Sequence, residues 1–166
     1  MCSGAEPAAI TNCLNFGNPE RAATAYALRE AITGMAEACD AFATPVVSGN
    51  VSLYNEHSGT PIHPTPVVGA VGVLARAELA VPSFPVAVYA VVLLLGSAVP
   101  AHDGSERQVL EDGAASGRIP DPSLAALAAL CRTLTEAAAS ELLASAHDAS
   151  DGGLAVAIAE LCIAAG

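Results

Sequence analysis

Residues 45–56, Pro-Val-Val-Ser-Gly-Asn-Val-Ser-Leu-Tyr-Asn-Glu, run an apolar strand into Gly49-Asn50 and then present Ser52, Tyr54, Asn55 and Glu56. Glycine lets a ligand approach the main chain closely. Asparagine supplies a neutral carbonyl oxygen for a hard cation, and serine a small donor for phosphate or sugar. Asn50 and Ser52 are expected to alternate in direction if the strand continues, or to converge on one ligand if the chain turns there. Gly-Asn is also a common turn dipeptide, so a plain hairpin accounts for the same residues.

Two further segments set polar side chains beside glycines. Asn12, Asn15 and Asn18 precede a helix, whose free first-turn N–H groups could meet an anion. Capping by Asn18 explains that residue alone and leaves Asn12 and Asn15 unexplained. Asp148 and Asp151 flank a turn ending in Gly152-Gly153, a spacing that could hold Mg²⁺ beside phosphate. For Asp151 a helix N-cap is the better reading. His147 beside Asp148 suggests a general base, although one His-Asp neighbour pair is a weak signal. His57 and His63 lie in a Pro/Gly loop and read as solvated. No Ser/His/Asp order and no Walker-type phosphate loop is present.

The elements that must position these segments are legible in part. Asn18-Pro19-Glu20 predicts a helix entry. Leu28, Ile32, Met35, Cys39 and Phe42 form one apolar stripe on a helix of about two dozen residues. Gly34 weakens that helix, and Thr44-Pro45 ends it. Residues 10–17 read as a strand edge arriving in a functional loop. Residues 46–47 and 51–54 read as short strands around a Gly49-Asn50 turn. Residues 66–75 read as a buried strand whose glycines admit a neighbouring helix. A domain boundary is expected near residues 81–85, followed by a central strand at 86–95 and an irregular stretch at 96–120. Asp121-Pro122 predicts a second helix, with Leu124, Leu127, Cys131, Leu134 and Ala138 inward. A strand at 141–146 and a third helix carrying Leu154, Ile158 and Leu161 complete the pattern. Such alternation predicts an α/β or α+β fold.

Composition narrows the function. The chain has 166 residues and a net charge of −11, from six basic and seventeen acidic side chains. That sign repels a phosphate backbone, and no Lys/Arg cluster opposes it, so nucleic-acid binding is not expected. A nucleotide remains compatible, because backbone N–H groups and Mg²⁺ neutralise phosphate without lysine. The five cysteines include no Cys-x-x-Cys pair, which argues against zinc and disulfide frameworks and fits a reducing cytoplasm. Four of them are expected to be buried free thiols. The apolar run at 85–95 is too short for a bilayer span of roughly twenty residues. With no basic region followed by an apolar core at the N-terminus, a soluble, intracellular protein without membrane partners is expected.

Residues 10–20, Ile-Thr-Asn-Cys-Leu-Asn-Phe-Gly-Asn-Pro-Glu, and residues 44–56 together resemble the large subunit of phosphoribosylformylglycinamidine synthase, a purine-biosynthesis enzyme. Residues 65–69 and 145–155 continue the resemblance in order, so that it spans essentially the whole chain. The His-Asp-x-Ser-Asp-Gly-Gly segment is shared more loosely with aminoimidazole ribonucleotide synthetase and selenophosphate synthetase. The resemblance implies a partial A-type α/β domain at residues 1–83, carrying part of an ATP and substrate site. The opening of a B-type domain would follow at 84–166. The chain is then expected to be a middle-to-late piece of a protein several times longer, and inactive alone.

The activity implied is an ATP-dependent amidation of formylglycinamide ribonucleotide to the amidine, through phosphorylation of the amide oxygen. ATP and Mg²⁺ are the implied cofactors. A glutaminase subunit and a small bridging subunit are the implied partners. Position by position, the resemblance implies that Asn12 and Gly49 contact ATP, Asn50 ligates Mg²⁺ and Ser52 touches the substrate. Position 12 is usually aspartate in that motif, so Asn12 keeps the shape and loses the charge. Asp148 corresponds by pseudo-symmetry to a metal-binding aspartate, and the family's catalytic histidine lies outside this chain. The rival readings are a non-catalytic nucleotide-binding or assembly module, and another ATP-dependent member of the same superfamily.

Overall fold

In the computed structural model the chain is described over residues 1–84, 91–96, 103–118 and 121–165. Its first element, β1 (Glu6–Asn15), is the middle of a three-stranded sheet rather than an edge. Helix α1 (Ala22–Phe42) follows, and β2 (Val46–Ser52) returns to lie parallel to β1. Two short strands, β3 (Glu56–His57) and β4 (Thr60–Pro61), make a small hairpin. β5 (Thr65–Val73) then pairs antiparallel with the other side of β1. Helices α2 (Glu106–Asp112), α3 (Leu124–Ala139) and α4 (Gly153–Ala165) follow. The result is the α/β architecture expected.

The predicted α1 stripe faces the sheet only partly. Leu28, Met35, Cys39 and Phe42 are half-buried, and Ile32 is exposed. The helix begins after the predicted entry. Asn18 Oδ1 accepts from Glu20 N at 2.8 Å, and Arg21 N donates to Asn18 O at 3.2 Å. Asn18 therefore organises a turn ahead of the helix, and Arg21 occupies the N-cap without a side-chain cap bond. Ala43 ends α1 in the left-handed region (φ 51°), one residue before the predicted Thr44-Pro45 stop.

Three strand predictions are corrected. Gly49-Asn50 is no turn, because β2 runs unbroken through both. β5 is exposed along its length, and its glycines approach β1 rather than a helix: a Cβ on Gly69 would meet Thr11, and one on Gly72 would meet Ala5 and Glu6. Residues 141–146 carry no strand; Glu141 turns the chain at φ 56° directly after α3. Of the central strand predicted at 86–95, residues 86–90 lie outside the described residues. Residues 91–95 have no strand assignment, and Val91 is 84% exposed.

The second predicted helix starts at a different residue from the one expected. Ser123, not Asp121, caps α3 by accepting from Ala126 N at 3.3 Å. Asp121 instead pairs with Arg118 at 3.2 Å. On α3, Ala128 and Ala138 are buried, whereas Leu127 of the predicted stripe is exposed. Small side chains thus make the close contacts. Ala138 meets the turn at Gly4, whose own Cβ would have no room. Val81 N donates to Ser3 O at 3.1 Å and Ala146 N to Pro82 O at 3.0 Å, which ties the second half to the N-terminal turn.

The buried apolar set among the described residues is small: Leu14, Phe16, Val81, Ala128, Ala138 and Ala157. Phe16 is the one large side chain fully removed from solvent. It sits at the end of β1, where the polar segments meet. All five cysteines are free thiols; Cys162 is exposed and the other four are half-buried rather than buried. Burial raises the Cys2 thiol above its ordinary value.

Candidate functional site

Because β2 continues through Gly49-Asn50, alternation decides which residues share a face. Thr11 pairs with Ser48, Asn12 with Gly49, Cys13 with Asn50, Leu14 with Val51 and Asn15 with Ser52. The register slips between Ile10 and Thr11, where Ile10 still faces Val46. That irregularity puts Ser48, Asn50 and Ser52 on the face opposite Val46.

The two faces differ in chemistry. Asn12, Leu14, Val46 and Val51 join Ile32, Met35, Ala36, Cys39 and Asp40 of α1 around an apolar cavity of about 440 Å³. The other face, away from α1, carries Thr11, Cys13 and Asn15 beside Ser48, Asn50 and Ser52. There Ser48 Oγ donates to Thr11 Oγ1 at 2.8 Å, and Asn15 Nδ2 lies 3.5 Å from Cys13 Sγ. The four predicted site residues therefore divide into two pairs. Asn12 and Gly49 lie on the α1 side; Asn50 and Ser52, two positions apart on one continuous strand, share the polar face instead of alternating in direction as expected.

Within the first pair the contact is tight. A Cβ on Gly49 would collide with Oδ1 of Asn12, so the asparagine side chain fills the space that glycine leaves. Within the second pair Asn50 is exposed and Ser52 half-buried at the end of β2.

Beyond Ser52 the chain folds back over the end of β1. Phe16 N donates to Ser52 O at 3.0 Å, Tyr54 N to Gly17 O at 3.0 Å, and Asn55 N to Phe16 O at 3.1 Å. Tyr54 reaches this position through a left-handed backbone (φ 60°). The Asn55 amide nitrogen reaches Phe16 O at 3.1 Å, Ser52 O at 3.0 Å and Ser52 Oγ at 3.0 Å. Arg21 Nη2 meets Glu56 Oε1 at 3.1 Å and Gly59 O at 3.3 Å, which fastens the β3–β4 hairpin to the start of α1. Asn55 belongs to the polar segment at 45–56 but has no role evident from that segment alone. Its signal was an amide three residues after a strand-terminal serine.

The third segment stands apart. His147 Nδ1 lies 2.6 Å from Asp148 O, and Nε2 lies 3.4 Å from Glu160 Oε2. The ring also packs tilted against Phe84, with centroids 5.7 Å apart. The imidazole thus links this loop to α4 and to residue 84. Asp148 is solvent-exposed; a hydrogen bond from the Ser150 side chain, then one from its own backbone, lowers its carboxyl below the usual value. Among the described residues no three His, Cys, Asp or Glu side chains gather closely enough to hold a metal ion. The described helices also include none long and apolar enough to cross a membrane.

The fold and the paired polar motifs define a class. Residues 1–74 match the N-terminal domain of AIR synthase related proteins, and residues 90–166 match the C-terminal domain of the same family. The chain belongs to the AIR synthase related family.

Within it, the similarity is to one kind of subunit. The chain is 49% identical over 162 residues to the phosphoribosylformylglycinamidine synthase subunit PurL of Anaeromyxobacter dehalogenans, covering 98% of this chain and 21% of that protein. It is 48% identical over 165 residues to the PurL subunit of Thermobifida fusca, covering 99% of this chain and 22% of that protein. The chain thus spans about a fifth of the length of the curated relatives it matches. Among solved structures, PurLQS from Thermotoga maritima aligns with 49% of this chain and 13% of its own, at 42% identity and a TM-score of 0.45. PurL of the same organism complexed with ATP aligns with 43% of this chain and 12% of its own, at 48% identity and a TM-score of 0.39.

Proposed function

We propose that this chain supplies part of the nucleotide and substrate site of a phosphoribosylformylglycinamidine synthase. The observation that carries the reading is 49% identity to a curated synthase subunit over 98% of the chain. The reaction is an ATP-dependent amidation. The amide oxygen of formylglycinamide ribonucleotide attacks the γ-phosphorus of ATP, and ADP leaves. Ammonia then adds to the activated carbon, and phosphate leaves with the original oxygen to give the amidine. Ammonia comes from a separate glutaminase subunit, with a small bridging subunit in the complex, in the cytoplasm. The A-type part occupies residues 1–83 and the B-type part 84–166, a division that falls between the two family segments.

The polar face suits this role. Ser52 offers a hydroxyl to an oxygen of the substrate, and Asn50 a neutral carbonyl oxygen beside it. Gly49 contributes main chain to ATP, while the Asn12 side chain, packed over Gly49 on the opposite, α1 side of the sheet, supports that strand. For Mg²⁺, the neighbours of Asn50 on its face are hydroxyl, thiol and amide groups without a carboxylate. That set does not build a Mg²⁺ site by itself, since the ion favours carboxylates and phosphates. Asn50 would furnish one ligand to an ion held mainly by ATP phosphates.

The test is an assay of the full-length protein with formylglycinamide ribonucleotide, ATP and ammonium. The reading expects ADP and amidine in equal amounts. No ADP release dependent on the ribonucleotide would contradict it.

A further inference from the structure

The geometry points to Asn55 as the positioning residue for Ser52: it fixes the hydroxyl oxygen as an acceptor and leaves the hydroxyl hydrogen on a single long contact, to Asn55 Oδ1, that a ligand oxygen can replace. The inference rests on the reading of Ser52 as a substrate contact. An asparagine amide carries two hydrogens. One is directed at Phe16 O at 3.1 Å, and the other lies between Ser52 O and Ser52 Oγ, each at 3.0 Å. Ser52 Oγ is thereby engaged as an acceptor. Its own hydrogen points to Asn55 Oδ1 at 3.2 Å, the longest contact of the set.

A ligand oxygen arriving at the polar face can take that hydrogen without disturbing the three donated bonds. The main chain holds the arrangement in place. Asn55 N donates to Phe16 O at 3.1 Å, and Ile62 N donates to Asn55 O at 3.1 Å. Asn55 is therefore fixed at both ends of its backbone while its side chain spans two motifs 39 positions apart in sequence. The ligand atom that takes this hydrogen is an acceptor: a phosphate, carbonyl or sugar oxygen.

Asn55→Asp keeps the shape and replaces the donor nitrogen by an oxygen. The carboxylate cannot donate to Ser52, and it draws the Ser52 hydrogen toward itself. The experiment is a double-mutant cycle on the full-length protein, reading KM for formylglycinamide ribonucleotide and kcat separately. Ser52→Ala and Asn55→Asp should each raise KM about tenfold, and the double variant also about tenfold rather than a hundredfold. Additive effects would overturn the positioning role while leaving Ser52 as a contact. A Ser52→Ala protein with unchanged KM would overturn both. Should Asn55→Asp not fold, Asn55→Ser, which retains a donor, enters the same cycle. The proposal expects its KM to be raised less than that of Ser52→Ala, with no added effect in the double variant. An equal loss on either background would refute it.

Discussion

Oδ1 of Asn12 occupies the space that a β-carbon on Gly49 would need, across the paired strands β1 and β2. The glycine is thus required by a side chain 37 positions earlier, and the two residues form one unit of the sheet. Gly49→Ala should destabilise the protein by about 1–3 kcal/mol, as overpacking does. Asn12→Ala in the same chain should recover part of that loss, the main-chain oxygen of residue 12 staying close to the new β-carbon. Denaturant unfolding of the two single variants and the double variant checks this, and a purely additive result would remove the steric link.

Ala43 closes α1 in the left-handed region, a conformation disfavoured for residues with a β-carbon. Its N–H still reaches the carbonyl of Asp40 at 3.3 Å. Ala43→Gly should therefore stabilise the chain by roughly 0.5–1 kcal/mol, relief of strain outweighing the added freedom of the unfolded state. Thermal unfolding would register a higher midpoint, and a lower one would refute the account of the helix end.

How much of this was legible depended on how local the cause was. The α1 stripe of Leu28, Met35, Cys39 and Phe42 follows from spacing within one helix. The stop at Thr44-Pro45 follows from proline sterics between neighbours. Gly49-Asn50 is different: the dipeptide fits a hairpin and a strand equally, and the pairing of β2 with β1, distant in sequence, decides. The same holds for the site. Asn50 and Ser52 could be named by type, but their shared face follows only once β2 is known to run through Gly49-Asn50 without turning. Asn55 could not be given a role without Phe16, its partner through the fold.

The Ser150 side chain and the local backbone hold the Asp148 carboxyl below its ordinary value. A depressed folded-state value stabilises above the unfolded value, and that contribution is lost as pH falls through the folded one. Ser150→Ala should move the Asp148 titration upward, read from its carboxyl resonance in NMR. An unchanged midpoint would show that Ser150 is not the cause.

Both outer strands carry exposed apolar side chains: Val46, Val47 and Val51 on β2, and Val67, Val68, Val71 and Val73 on β5. Unpaired edges with such surfaces invite association. The 166-residue chain alone should self-associate with rising concentration in sedimentation velocity. A monodisperse monomer with cooperative thermal unfolding would contradict the reading of these faces as contact surfaces.

The proposed function requires the polar face formed by β1 and β2 to take part in the ATP-dependent site. Titration of Mg²⁺-ATP into the full-length protein, with and without Asn50→Ala, is the decisive comparison. If Asn50 supplies one cation ligand, the variant should bind about tenfold more weakly, or by roughly 1.4 kcal/mol. Equal affinity in the two proteins would contradict the assignment and place the nucleotide away from this face.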